Sequence, residues 1–205
     1  MDEHSFESPV MGNVIIVSGP SGAGKSTVVK ELLERCPLPL KISVSATTRS
    51  PRVGEVDGQD YFFLSKAEFD RKRLAGDFLE YKEVYGRGDW YGTLEAVVSA
   101  GRNRGDWLIL EIDVEGALAI MQVVPDAISF FVHPGSVDEL ERRLVARGTD
   151  TREAIDRRLE VANSELAQRH HYRHEIINNS LNQSVDTICS ILKTYQEETQ
   201  ICSKN

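Results

Sequence analysis

Residues 14–17, Val-Ile-Ile-Val, form an unbroken apolar run, which predicts a strand buried on both faces. Similar runs return at 107–113 and 127–132, the first of them ending in the carboxylates of Glu111 and Asp113. Val28, Val29, Leu32 and Leu33 continue the first run as a helix, and Cys36-Pro37-Leu38-Pro39 breaks it. Residues 40–46 alternate apolar and small polar side chains, predicting a second strand, and 47–58 crowd Arg, Pro and Gly into a loop. A strand at 61–64 leads to a helix over 65–74, opened by capping-box spacing at Ser65 and Glu68 and closed by Gly76. Alternation over 78–84 then predicts a small antiparallel sheet set before the next core element.

Further helices are predicted at 94–100 and 115–123. Ser136 and Glu139 form a second capping box; Val137, Leu140 and Leu144 make an apolar stripe, with Arg143 and Arg147 one turn apart on another face. Ile155, Leu159, Ala162 and Leu166 mark a long helix, 175–178 a strand, 183–195 a last helix, and 196–205 a polar tail. Strands alternating with helices predict an α/β fold with a parallel sheet covered on both faces.

Composition narrows the function. A chain of 205 residues suits one α/β domain with small insertions. A net charge of −8 speaks against a nucleic-acid partner, which needs a basic surface to displace counterions, so anion binding must come from local arginine and lysine clusters. Cys36, Cys189 and Cys202 have no paired spacing, which predicts reduced thiols in a cytoplasmic protein and no zinc. No run reaches membrane-spanning length, and residues 1–11 are a polar, acidic extension without a signal-peptide pattern.

Candidate chemistry begins where the first strand ends. Ser18-Gly19-Pro20-Ser21-Gly22-Ala23-Gly24-Lys25-Ser26-Thr27 fills G-x-x-x-x-G-K-[ST] between a strand and a helix. In that context glycines let backbone N–H groups turn inward around phosphate oxygens, at a helix N-terminus that itself favours anions. Lys25 then reaches the β- and γ-phosphates, and the Ser26 hydroxyl suits Mg²⁺.

Further motifs follow in order: Ser43-Val44-Ser45-Ala46-Thr47-Thr48-Arg49-Ser50-Pro51-Arg52; Gly54-Glu55 with Asp60-Tyr61; Phe78-Leu79-Glu80; Tyr91-Gly92-Thr93; Glu111-Ile112-Asp113-Val114-Glu115-Gly116; and Arg143-Leu144 with Arg147-Gly148. On these the chain resembles the guanylate kinases, P-loop enzymes that move the γ-phosphoryl of ATP onto GMP. The resemblance covers 12–195. It implies a P-loop core (12–44, 94–135 and 168–195), a small mixed α/β GMP-binding insertion (45–93) and a helical lid (136–167). ATP is then expected on Gly19, Pro20, Ser21, Gly22, Ala23, Gly24, Lys25, Ser26 and Thr27. GMP is expected on Ser45, Arg49, Arg52, Tyr61, Glu80, Tyr91, Thr93 and Asp113. Lys25, Arg49, Arg143, Arg147 and Arg158 are the implied catalytic residues, and Ser26 and Glu111 the implied Mg²⁺ neighbours. The expected partners are ATP and GMP alone, with no nucleic acid and no membrane; homo-oligomerisation is left open.

Physical chemistry supports these roles. Two polyanions repel strongly in a low-dielectric cleft, so the acceptor phosphate needs its own cations, and Arg49 and Arg52 are spaced as a guanidinium clamp. A carboxylate at Glu80 accepts from guanine N1–H and the 2-amino group together, whereas adenine offers a lone pair there. Glu111 and Asp113, two apart, are expected on one side of their strand. Three departures from the family stand out: residues 85–91 are about two longer, Asn178-Asn179-Ser180 replaces a usual Asn-Asp-Asp, and Glu115 stands where Gln is common. The rivals are a catalytically inactive relative that binds phosphoproteins, and a kinase of another phosphorylated small molecule.

Overall fold

The computed structural model describes residues 11–84, 88–146, 148 and 151–202. In chain order the elements are β1 (Val14–Ser18), α1 (Lys25–Arg35), β2 (Leu40–Ile42), β3 (Ala46–Thr47), β4 (Phe62–Phe63), α2 (Lys66–Ala75), β5 (Phe78–Val84), β6 (Asp89–Leu94), α3 (Glu95–Asn103) and β7 (Trp107–Glu111). There follow α4 (Val114–Val123), β8 (Ile128–His133), α5 (Val137–Ala146), α6 (Arg152–Leu166), a 3₁₀ turn over Arg169–His171, β9 (His174–Ile177) and α7 (Leu181–Cys202).

Five strands form one parallel sheet in the order β2-β7-β1-β8-β9. Its central strand, β1, pairs Ile15 with Ile109 on one side and with Ile128 on the other. Successive side chains of a strand point to opposite faces, which is why this strand must be apolar throughout. Ile15 and Val17 enter the layer under α1 and α7, with Leu32, Phe130, Ile188 and Leu192. Val14 and Ile16 enter the layer under α4, with Leu110, Ile120 and Phe131. The parallel order leaves the carboxyl ends of β1, β7, β8 and β9 on one edge, where α/β proteins bind ligands.

A second, four-stranded sheet in the order β4-β3-β6-β5 has its own small core of Ala46, Phe69 and Leu94, with Phe78 and Trp90 packed against it. The helix above it, α2, is closed at both ends: Ser65 and Glu68 form the reciprocal capping box and Gly76 ends it in the left-handed region. A third cluster, Leu140, Leu144, Ile155 and Ala162, joins α5 to α6. No helix among the described residues is long and apolar enough to cross a membrane.

The structure corrects several expectations. The strand expected over 40–46 divides: Leu40–Ile42 pairs with β7 in the large sheet, and Ala46–Thr47 crosses to the small one. Alternation records which face a residue takes and is silent about the partner strand. The small sheet is mixed, since β3 runs parallel to β4 while β6 is antiparallel to both β3 and β5. Residues 89–94, expected as the end of a loop and the start of a helix, are the strand β6; Gly92 interrupts its alternation and yields no side chain to count. The last helix continues through 196–202, because a surface helix tolerates polar residues on every exposed position.

The two sheets have separate cores, so they should fail separately. Phe69→Ala is expected to cost about 3 kcal/mol or more and to speed amide hydrogen exchange in β3–β6 well before β1, β7 and β8. Equal acceleration in both sheets, measured by mass spectrometry, would contradict this division.

Candidate active site

The loop between β1 and α1 is shaped by contacts only glycine permits. Gly19 has φ +138°, and a Cβ there would lie 2.0 Å from the Val132 carbonyl oxygen of β8. Gly24, with φ +91°, begins α1 and faces the Asn178 amide at 2.7 Å from where its Cβ would stand. Lys25 donates from Nζ to the carbonyls of Gly19 (2.7 Å) and Pro20 (3.1 Å), so its side chain folds back across the loop. Ser26 donates from Oγ to Glu111 Oε1 at 2.5 Å, joining the first turn of α1 to the carboxyl end of β7.

Asn178, 7% exposed at the end of β9, donates from Nδ2 to the Ala23 carbonyl at 2.9 Å and accepts from Ser184 Oγ at 3.0 Å. Arg143, on α5, donates to the same Ala23 carbonyl (3.4 Å) and to the Asn178 carbonyl (2.7 Å), while Glu139 accepts from its Nε at 2.8 Å. Leu140 and Leu144 of the same helix lie against Gly22. Arg158, on α6, reaches Ser21 Oγ at 3.4 Å. Arg143 and Arg158 thus both meet the phosphate loop from the α5–α6 side; Arg147 lies outside the described residues.

The small sheet carries the second cluster. Arg49 is gripped by Glu55 through two hydrogen bonds of 2.9 Å, donates from Nε to the Tyr91 hydroxyl (3.1 Å) and from a terminal nitrogen to the Ser50 carbonyl (2.7 Å). Those bonds hold the Glu55 carboxyl below the usual carboxylate range and make Arg49 harder still to deprotonate. The guanidinium lies over the rings of Tyr61 (5.5 Å) and Phe63 (5.8 Å), and Tyr61 meets Tyr91 edge-on. Burial raises the Tyr61 hydroxyl, and the Arg49 charge beside it works the other way. Arg52, expected as the second arm of the clamp, is exposed, and its backbone N–H donates to Glu55 at 2.7 Å. Ser45 precedes β3, where its carbonyl accepts from Phe62 N–H at 2.9 Å.

Glu80, on β5, accepts from Thr93 Oγ1 at 2.8 Å and leans its other oxygen toward Gly116 at the head of α4. Burial pushes its carboxyl above the usual value, and the neighbouring Asp113 pushes it the same way. Asp113 lies beyond the end of β7, so the alternation expected to align it with Glu111 does not apply. Its carboxylate caps α4 by accepting from Gly116 N–H at 2.8 Å, and Lys82 Nζ approaches Asp113 at 3.3 Å and Glu115 at 2.6 Å. Glu165, at the end of α6, is raised by burial.

Sequence reasoning missed four participants. Glu55 lies inside the Gly54-Glu55 motif, which gives it no role by itself, and Asn178 lies in a stretch that departs from the usual family residues. Ser184 carried no signal. Lys82 had one: it sits two residues after Glu80 on an alternating strand and therefore on the same face.

The guanylate kinase family model matches residues 11–195. The guanylate kinase of Rhodopirellula baltica is 54% identical over 195 residues, covering 95% of this chain and 93% of its own. That of Fusobacterium nucleatum is 44% identical over 183 residues, covering 89% and 97%. The crystal structure of guanylate kinase from Anaplasma phagocytophilum superposes with a TM-score of 0.71 at 31% identity, over 91% of this chain and 87% of that one. With a phosphate loop after β1, a pair of carboxylates at the head of α4 and this likeness along nearly its whole length, the chain belongs to the guanylate kinase family.

Proposed function

We propose that the chain carries out its family's reaction, transfer of the γ-phosphoryl group of ATP to GMP giving ADP and GDP, in the cleft between the phosphate loop and the small sheet. The observation that carries this is the half-buried Glu80 carboxylate, bonded to Thr93 and set beside Asp113 at the head of α4. Guanine offers two donors side by side, N1–H and the 2-amino group. Glu80 and Asp113 are the acceptors for that edge, and Ser45 supplies a hydroxyl for O6, joined by Thr93 when its single O–H turns from Glu80. A purine that lacks this donor pair leaves a half-buried carboxylate without its partners, which is disfavoured.

The ATP phosphates lie in the loop of Gly19, Pro20, Ser21, Gly22, Ala23, Gly24, Lys25, Ser26 and Thr27. Lys25 exchanges its two carbonyl acceptors for phosphate oxygens, and Arg143, Arg147 and Arg158 close over the transferring group. Arg49, Arg52, Tyr61 and Tyr91 hold the GMP phosphate. Glu55 keeps the Arg49 fork extended; four of its five N–H groups are committed within the protein, leaving one edge for the phosphate. A phosphate near neutral pH is already an anionic nucleophile, so no general base is needed. Exclusion of water by the α5–α6 arm keeps the phosphoryl group from hydrolysis.

Ser26 and Glu111 fit Mg²⁺: a hydroxyl and a carboxylate within 2.5 Å of each other are hard oxygen donors. No group of three or more His, Cys, Asp or Glu among the described residues is placed to hold a metal alone, which suits an ion shared with phosphates and water. Bound there, Mg²⁺ supplies charge neutralisation along the triphosphate. The free thiols Cys36 and Cys189 suit the reducing cytoplasm.

A coupled assay of ATP against AMP, GMP, CMP and UMP should give turnover with GMP at least about 10³-fold above the others; a flat profile overturns the assignment. Lys25→Ala should cut kcat by at least about 10²-fold with an unchanged circular dichroism spectrum. Glu80→Gln should lower kcat/KM for GMP by roughly 10²-fold while KM for ATP stays within about 3-fold. Because the Glu80 carboxyl binds its proton more readily than an ordinary carboxyl, kcat/KM for GMP should fall on acidification earlier than free glutamate would dictate. A pH profile in which Glu80→Gln keeps the same acid limb would show that another group is responsible.

A further inference from the structure

Three carboxylates meet at the head of α4: Glu80 from the small sheet, and Asp113 and Glu115 from the core. Like charges this close repel, and the partial positive charge of one helix N-terminus offsets only part of that. Lys82 supplies the rest. It stands on the same face of β5 as Glu80, two residues on, and its ammonium reaches Asp113 Oδ2 at 3.3 Å and Glu115 Oε2 at 2.6 Å. The other Asp113 oxygen accepts from Gly116 N–H at 2.8 Å. Asp113 is therefore held at both oxygens, by the helix cap on the core side and by an ammonium carried on the small sheet.

We propose that Lys82 is a positioning residue of the guanine pocket: by bridging the small sheet to Asp113 and Glu115 it fixes Asp113 alongside Glu80 and sets the width of the slot that receives the 2-amino edge of the base. Without the ammonium, Asp113 keeps only its capping bond, and nothing then fixes the rotation of its carboxylate beside Glu80. β5 then loses an ionic tie to α4. The pair is too exposed to matter much for folding, with Lys82 38% and Asp113 43% accessible. Its loss is consequently read in binding and selectivity. The proposal rests on the assignment of Glu80 and Asp113 to guanine.

The test compares the full-length chain with Lys82→Met, which keeps the stem and removes the charge, and Lys82→Arg, which keeps the charge. Steady-state constants are measured for GMP and ATP, together with the inhibition constant of inosine monophosphate, which shares N1–H and O6 with GMP but lacks the 2-amino group. Lys82→Met should raise KM for GMP about 10-fold, with the inosine monophosphate constant, KM for ATP and kcat each within about 3-fold. Lys82→Arg should return KM for GMP to within about 3-fold of the original. A KM for GMP within 2-fold in Lys82→Met overturns the proposal, and so does a parallel rise for GMP, inosine monophosphate and ATP, which marks general loosening. Glu80→Gln run beside them separates the two failures: a normal KM for GMP in that variant withdraws the guanine assignment and this proposal together, whereas a raised one with Lys82→Met unaffected withdraws this proposal alone.

Discussion

The peptide joining Ala23 to Gly24 is held from behind. Its carbonyl accepts from the buried Asn178 amide and from Arg143. A trans peptide points its N–H opposite to its C=O, so securing the oxygen on the core side aims the Gly24 N–H into the hollow of the loop. The anchor is itself anchored: Asn178 accepts from Ser184 on α7, and its backbone N–H donates to His133 of β8 at 2.7 Å. A phosphate cradle made of backbone amides is only as well aimed as its peptide planes. Asn178 thus ties the loop to the far side of the sheet, beside the Gly19–Val132 approach and the Ser26–Glu111 bond.

Around that anchor the molecule divides its labour between two cores. The parallel sheet, apolar on both faces, fixes the loop, the Ser26–Glu111 pair and the head of α4 relative to one another. The small sheet, with a few aromatic side chains for a core, fixes Arg49, Tyr91, Glu80 and Thr93. On the proposed assignment each cation set serves one phosphate-bearing group, so the reaction needs both sheets.

An overall charge of −8 is no obstacle to this design. Two of the candidate arginines are steadied by a carboxylate, Arg49 by Glu55 and Arg143 by Glu139, so those side chains are ordered in advance and lose little freedom when an anion arrives. The opposite problem, several acidic groups crowded at the head of α4, is met by Lys82 and by the N-terminus of that helix.

Much of this was legible in the residues. The continuous apolar run of β1, the glycine loop and the capping signals of α2 and α5 are local features, in which steric and hydrogen-bonding preferences act within a few residues. The arginines and Glu80 could be named because they sit in ordered motifs. What the chain order could not convey was partnership across distance. That residues 40–46 serve two sheets, that Asp89–Leu94 is a strand and that Asn178 secures Ala23 all depend on groups far apart in sequence meeting, and even Glu55, six residues from Arg49, grips it only through the fold of the loop between them. Such pairings are settled by packing and by the requirement that buried polar atoms find partners. The sequence by itself determined the chemistry present and the faces on which it lies; only the tertiary structure decided which charges meet.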